Sequence, residues 1–280
     1  MKPARGRKSD LGFTLIELLV ALGIFLLITG AAFTLLGSSQ QRYQTESQVL
    51  TSFQEARLAL DQIVRDVNDA GFPPPTFTDG TAAHSASAPF AWSPGYTVPT
   101  PCQIGTAGSG TCTTATAGDS APGDFDIIIE TAPNLPTDPN VYWIRYQLVG
   151  TTLMRGVAPR ASGADPDAAF TGANAVAPFV QNVVNKVCPP QLPNCQTAYP
   201  LVFPGGSPVP IFKYTCETPS APQYPLPYCS GLGAVSDNSP QNIRDVIITL
   251  IVAAPLPDAT SGRPRLVQLS GRGRRVNPNK

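Results

Sequence analysis

The chain has 280 residues and no formal net charge, and only 14% of it is Asp, Glu, Lys or Arg, well below the usual quarter. That length holds one elaborated domain or two small ones around a real core. Lys2, Arg5, Arg7 and Lys8 stand against Asp10 in the first twelve residues. The rest therefore carries three net negative charges, which gives no support to bulk nucleic-acid binding.

Directly after this basic leader comes an apolar run over residues 13–36 in which Glu17 is the only charge. As a helix it reaches about 36 Å, enough to cross the hydrocarbon core of a bilayer. A secretory signal has a shorter apolar region that ends in a small-residue cleavage site. The basic flank places the N-terminal end in the cytoplasm. A plain signal anchor with an incidental glutamate is the simple alternative.

The sequence Lys8-…-Gly12-Phe13-Thr14-Leu15-Ile16-Glu17 resembles the processing site of type IV prepilins, with Arg7 and Lys8 in the leader's basic flank. The resemblance implies that a prepilin peptidase cuts after Gly12 and methylates the new amine of Phe13. It also implies that Glu17 pairs with the N-terminal amine of a neighbouring subunit. Physics agrees, because a lone charge at the centre of a spanning helix costs about 2.5–3.5 kcal/mol and a cation on the next helix relieves it. Snorkelling of Glu17 to the headgroups is the structural alternative. Gly23, Thr29, Gly30, Ala31 and Ala32 offer small patches for a second helix, and Gly30 is a potential soft point.

Helical periodicity continues through Val49, Leu50, Phe53, Ala56, Leu60, Ile63, Val64 and Val67. Ala70-Gly71-Phe72-Pro73 is a stop signal. A helix over residues 13–70 would be about 87 Å long, with a spanning half (13–36) and an amphipathic half (37–71). Arg57 with Asp61 and Arg65 with Asp69 are i,i+4 pairs, worth tenths of a kcal/mol. The run ending in Asp69-Ala70-Gly71-Phe72 resembles PilW-type minor pilins. So does Tyr142-Trp143-Ile144-Arg145-Tyr146-Gln147-Leu148, with Leu153-Met154-Arg155 after it.

Residues 72–280 read as a β-rich head. Thirty-one prolines and 24 glycines make the chain loop-rich, nowhere more than over 71–123. Strand signals fall at 126–131, 142–149, 152–156, 211–216, 243–253 and, weakly, 266–269, with 179–187 open between strand and helix. Six cysteines lie in close pairs: Cys102 with Cys112, Cys188 with Cys195, and Cys216 with Cys229. No pair has zinc-knuckle spacing, and His84 is the only histidine. Local disulfides in an oxidising compartment fit better than a metal site. The expected design is α+β and type IV pilin-like: one long helix on an antiparallel sheet of at least four strands, with long disulfide-pinned loops.

No phosphate loop, nucleophile elbow or HExxH motif occurs, so no enzyme and no cofactor is expected. The resemblance implies a minor pilin that primes or enters a pilus, with a type II secretion pseudopilin of the GspJ kind as alternative. A membrane-tethered adhesin or DNA-uptake subunit is a third possibility. The last draws on the loops and on Arg263, Arg265, Arg272, Arg274, Arg275 and Lys280, a cluster read as a solvated or subunit-contacting tail. The implied partners are the prepilin peptidase, sister subunits and the inner membrane. The head would be periplasmic, and later at the pilus or cell surface.

Overall fold

A computed structural model describes residues 13–74, 77, 79–91, 122–135, 137–161, 165–190, 192–217, 226, 228–229, 240–258 and 261–276. Cys102 and Cys112, with the leader residues Arg7, Lys8 and Gly12, lie outside them. Helix α1, Leu15–Asn68, runs 54 residues without interruption, about 81 Å. It passes through Gly30 unbroken. Hydroxyls in and just past its apolar half are satisfied locally: Thr29, Thr34 and Ser38 donate to the carbonyls of Phe25, Ala31 and Leu35 at 2.7, 2.8 and 2.9 Å. Such back-bonding lets hydroxyls sit in lipid without water.

The upper half buries one face, comprising Thr45, Ala56, Ala59, Leu60, Ile63, Asp66 and Val67, at mostly three- and four-residue spacing. Gly71 ends the run at φ +79°, donating its N–H to the Glu130 carbonyl at 2.8 Å. That left-handed backbone suits glycine.

Two antiparallel sheets pack against this half, where the sequence predicts one. The first holds β1 (Phe90–Ala91), β2 (Asp126–Thr131), β3 (Tyr142–Val149), β4 (Thr152–Pro159) and β5 (Ala177–Val180) in chain order. The second holds β6 (Phe212–Cys216), β7 (Ile243–Pro257) and β8 (Pro264–Arg274). Val183 bridges to Val252. Beside it the buried Asn185 amide donates to the carbonyls of Val209 and Thr249, and its oxygen accepts from Ile251 N–H. One side chain thus replaces ladder bonds that an irregular segment cannot make. Cys188–Cys195 closes the loop into α2 (Cys195–Ala198), and Cys216–Cys229 ties down the end of β6.

The arginine-rich C-terminus is a correction to the expected tail. It forms the eleven-residue strand β8, with Arg265 paired to Asp258 and with Arg272 and Arg274 paired to Asp245. Arg275 is buried. Arg272 and Arg274 hide a strand because they occupy its outward alternation, while Gly271 and Gly273 occupy the helix-facing one. A Cβ on Gly271 would lie 3.0 Å from Leu60 Cδ1, and one on Gly273 only 2.5 Å from Val67 Cγ1. Both faces of β3 are also covered. Ile144, Tyr146 and Leu148 join the α1 core, and Trp143 packs with Ile128, Ala158 and Phe170 on the other side.

Gly273→Val should therefore destabilise the head by about 1–3 kcal/mol through overpacking, although valine is the better strand former. Gln268→Ala on the exposed side of β8 should stay within about 0.5 kcal/mol. Denaturant titration followed by circular dichroism tests the contrast.

Candidate functional site

The chemistry flagged in the sequence gathers at the start of α1. Phe13 is 84% exposed. Thr14 is the N-cap and forms a reciprocal box with Glu17. The Thr14 backbone N–H and hydroxyl each donate to Glu17 Oε2 at 2.9 Å, and Glu17 N–H donates to Thr14 Oγ1 at 3.4 Å. In lipid every open backbone donor is costly, and this box closes two of them. Glu17 also lies in the first turn, where the helix dipole favours an anion. Thr14-x-x-Glu17 ahead of an apolar run is the sequence signature of such a cap, and it is missed when Glu17 is considered only as a charge awaiting a partner. Both bonds from Thr14 end on Oε2. A carboxylate has about four acceptor positions, so Oε1 can take a further donor.

Past the cap, side chains from Leu15 to Leu36 are exposed almost all round. This stretch makes α1 long and apolar enough to cross a membrane, the one such helix among the described residues. Added Cβ atoms on Gly23 and Gly30 would meet nothing within 4 Å, so close approach there is open to another helix.

At the other end of α1 a buried polar cluster fixes the head to the helix. Neither Arg57–Asp61 nor Arg65–Asp69 forms an ion pair among the described residues. Asp66, read from the sequence only as part of the Arg65-Asp66 pair ahead of the Ala70-Gly71-Phe72 exit, takes that role. Its Oδ2 accepts from Tyr146 Oη at 2.6 Å and from Arg155 Nη2 at 3.2 Å, and its Oδ1 accepts from Gln62 Nε2 at 2.7 Å. Arg155 Nε also donates to Tyr146 Oη at 2.9 Å. On the far side of the sheet Arg145 is held by Asp126 at 2.6 Å and by Asp167, beneath Phe170. Glu130 accepts from Trp143 Nε1 and pairs with Arg160 at 3.3 Å.

Among the described residues these groups do not converge as a reaction centre would. A pocket of 280 Å³ lies between β4 and the segment leading into β5, lined by Arg155, Gly156, Asn174 and Phe179 among others. Its one charged side chain is the Arg155 already engaged by Asp66. Among the described residues no group of three His, Cys, Asp or Glu side chains is placed to hold a metal.

Comparison with known families matches residues 7–33 to the prokaryotic N-terminal methylation motif. Curated proteins and solved structures gave no match. The chain is thus type IV pilin- or pseudopilin-like, a description that its long helix and antiparallel head share. The motif implies processing by prepilin peptidase and assembly with other pilins. It points to a structural, membrane-anchored subunit and not to an enzyme.

Burial, with Asp66 beside it, pushes the Tyr146 phenol far above its ordinary value of 10.0. Burial does the same to Tyr214, which donates to the Gly123 carbonyl at 2.6 Å. Above pH 10 the unfolded chain releases these phenolic protons and the folded chain keeps them, so stability falls as pH rises. Arg275, pushed down to about 10 by burial, acts in the opposite sense, one guanidinium against two phenols. Alkaline titration followed by phenolate absorbance should show two tyrosines ionising only as the head unfolds. Tyr146→Phe should remove one of them from that late step.

Proposed function

We propose that this protein is a minor type IV pilin of the PilW kind. It would be cut between Gly12 and Phe13, methylated on Phe13, and drawn into or used to prime a filament through its spanning helix. The organisation would be a leader (1–12), an assembly helix (13–36), its amphipathic continuation (37–71) and a head (72–280). The head would lie in the periplasm before assembly. The observation that carries this is Glu17 at the fifth position after the proposed cut, inside an otherwise uncharged span.

Cleavage would create an amine at Phe13, next to the Thr14 cap. In the free subunit Glu17 is already engaged by Thr14. The incoming amine of a sister helix would add a charge-assisted bond at the open Oε1, without leaving the cap unsatisfied. This explains how an acid could wait in lipid before its partner arrives. The PilW assignment, in preference to a GspJ-like pseudopilin, is supported by the Arg65-Asp66…Ala70-Gly71-Phe72 exit and the Tyr142–Leu148 strand.

Mass spectrometry of the cell-extracted protein should find a chain that begins at methylated Phe13. Gly12→Leu should leave an uncut precursor, and an intact Gly12–Phe13 bond in cells that form filaments refutes the proposal. Glu17→Ala should be processed yet fail to support filament assembly. Deleting the gene should abolish piliation and spare type II secretion, whereas the reverse phenotype would assign the pseudopilin role.

A further inference from the structure

The β7–β8 hairpin runs down α1 towards the span. Gly273 lies against Val67, and Gly271 lies against Leu60 and Val64, so earlier residues of β8 meet earlier turns of α1. Pro264 is seven residues before Gly271, about 23 Å of strand, equivalent to about fifteen helical residues. That brings the hairpin's end level with Thr45, which is buried amid an otherwise exposed stretch of helix. Leu36 is nine residues earlier, about 14 Å along the axis. The headgroup layer takes up about 5–7 Å of that gap, and a tilt of about 20°, average for a spanning helix, lowers one side of the head further.

Leu201 and Leu256 are exposed at this end, at 96% and 42%. Leu201 belongs to the loop after the Cys188–Cys195 bridge, which is anchored to the hairpin by the Tyr199 hydroxyl donating to the Pro264 carbonyl. Arg265 is neutralised by Asp258 at 2.6 Å. Arg263, exposed beside them, has no carboxylate partner among the described residues. Arg42 is exposed on the helix between span and head.

We propose that, before assembly, this lower end of the head rests on the bilayer surface. Leu201 and Leu256 enter the headgroup layer, and Arg263 meets anionic lipid phosphates. The occupant is fixed by the chain itself: the anchor that begins α1 brings a membrane to this end of the molecule and to no other. Apolar tips flanked by arginine suit that interface. The proposal rests on the membrane-anchored reading above, and its test separates the two.

The full mature chain is reconstituted in phosphatidylcholine/phosphatidylglycerol vesicles with and without brominated acyl chains. Tryptophan is added singly as Leu201→Trp, Leu256→Trp, Leu27→Trp within the span, and Tyr228→Trp near the upper end of the head. Emission is compared with that of the parent chain, whose Trp92 and Trp143 set the background. Leu201→Trp and Leu256→Trp should be blue-shifted and quenched by bromine, and Tyr228→Trp should be unaffected. Arg263→Glu should weaken the quenching only where phosphatidylglycerol is present. Quenching at Leu27→Trp with none at Leu201→Trp or Leu256→Trp overturns the docking and leaves the anchor standing. No quenching at Leu27→Trp overturns both. Tip emission that shifts with protein density and ignores bromine would assign the surface to a second copy and also overturns the proposal.

Discussion

Helix α1 is apolar and exposed almost all round over its first half and meets protein on one side over its second, and the rest of the molecule is arranged around that change of surroundings. In the apolar half there is no hydrophobic drive towards another helix, since lipid tails are as greasy as leucine. What remains are the small residues Gly23 and Gly30, open to close approach, and the polar end group at Thr14 and Glu17. In the upper half the helix gains stability by burying Ala56, Ala59, Leu60, Ile63 and Val67 under two sheets. One continuous rod thereby couples whatever happens among spanning helices to the placement of the head.

Charge is scarce in this chain, and much of it is turned inward. Asp66, Asp126, Glu130 and Asp245 are buried, and each faces an arginine. Buried pairs add little net stability over apolar residues of the same size, yet removing one partner strands the other at a cost of about 3–5 kcal/mol. Their effect here is geometric. Asp66 joins α1 to β3 and β4, Asp126 joins β2 to Arg145 of β3, which also holds the covering turn at Asp167, and Asp245 joins all three strands of the second sheet through Thr215, Arg272 and Arg274. A loop-rich head is thereby held in one register against the helix.

The matched family motif ends at residue 33, near the end of the span, so it says nothing of the head. The architecture of the head carries the pilin likeness on its own: a long N-terminal helix laid against antiparallel strands, with disulfides pinning connections. The two ends of α1 also have opposite chemistry. At the base a carboxylate closes the helix's own donors through Oε2 and leaves Oε1 with room for a further donor. At the top a carboxylate is fully engaged by the head.

The sequence alone determined α1, the apolar character of its first half, its exit at Gly71 and the strands at β2, β3 and β6, because each rests on local period, length or backbone conformation. It singled out Phe13 and Glu17, while the Thr14–Glu17 cap beside Phe13 emerged only in the structure. Only the tertiary structure decided that the arginine-rich end is strand β8, because its charges look like a tail until Asp245 and Asp258 neutralise them. Only there does Asp66 outrank the i,i+4 pairs. Its partners Tyr146 and Arg155 stand 80 and 89 residues away, and separations of that size are set by packing, which no local pattern records.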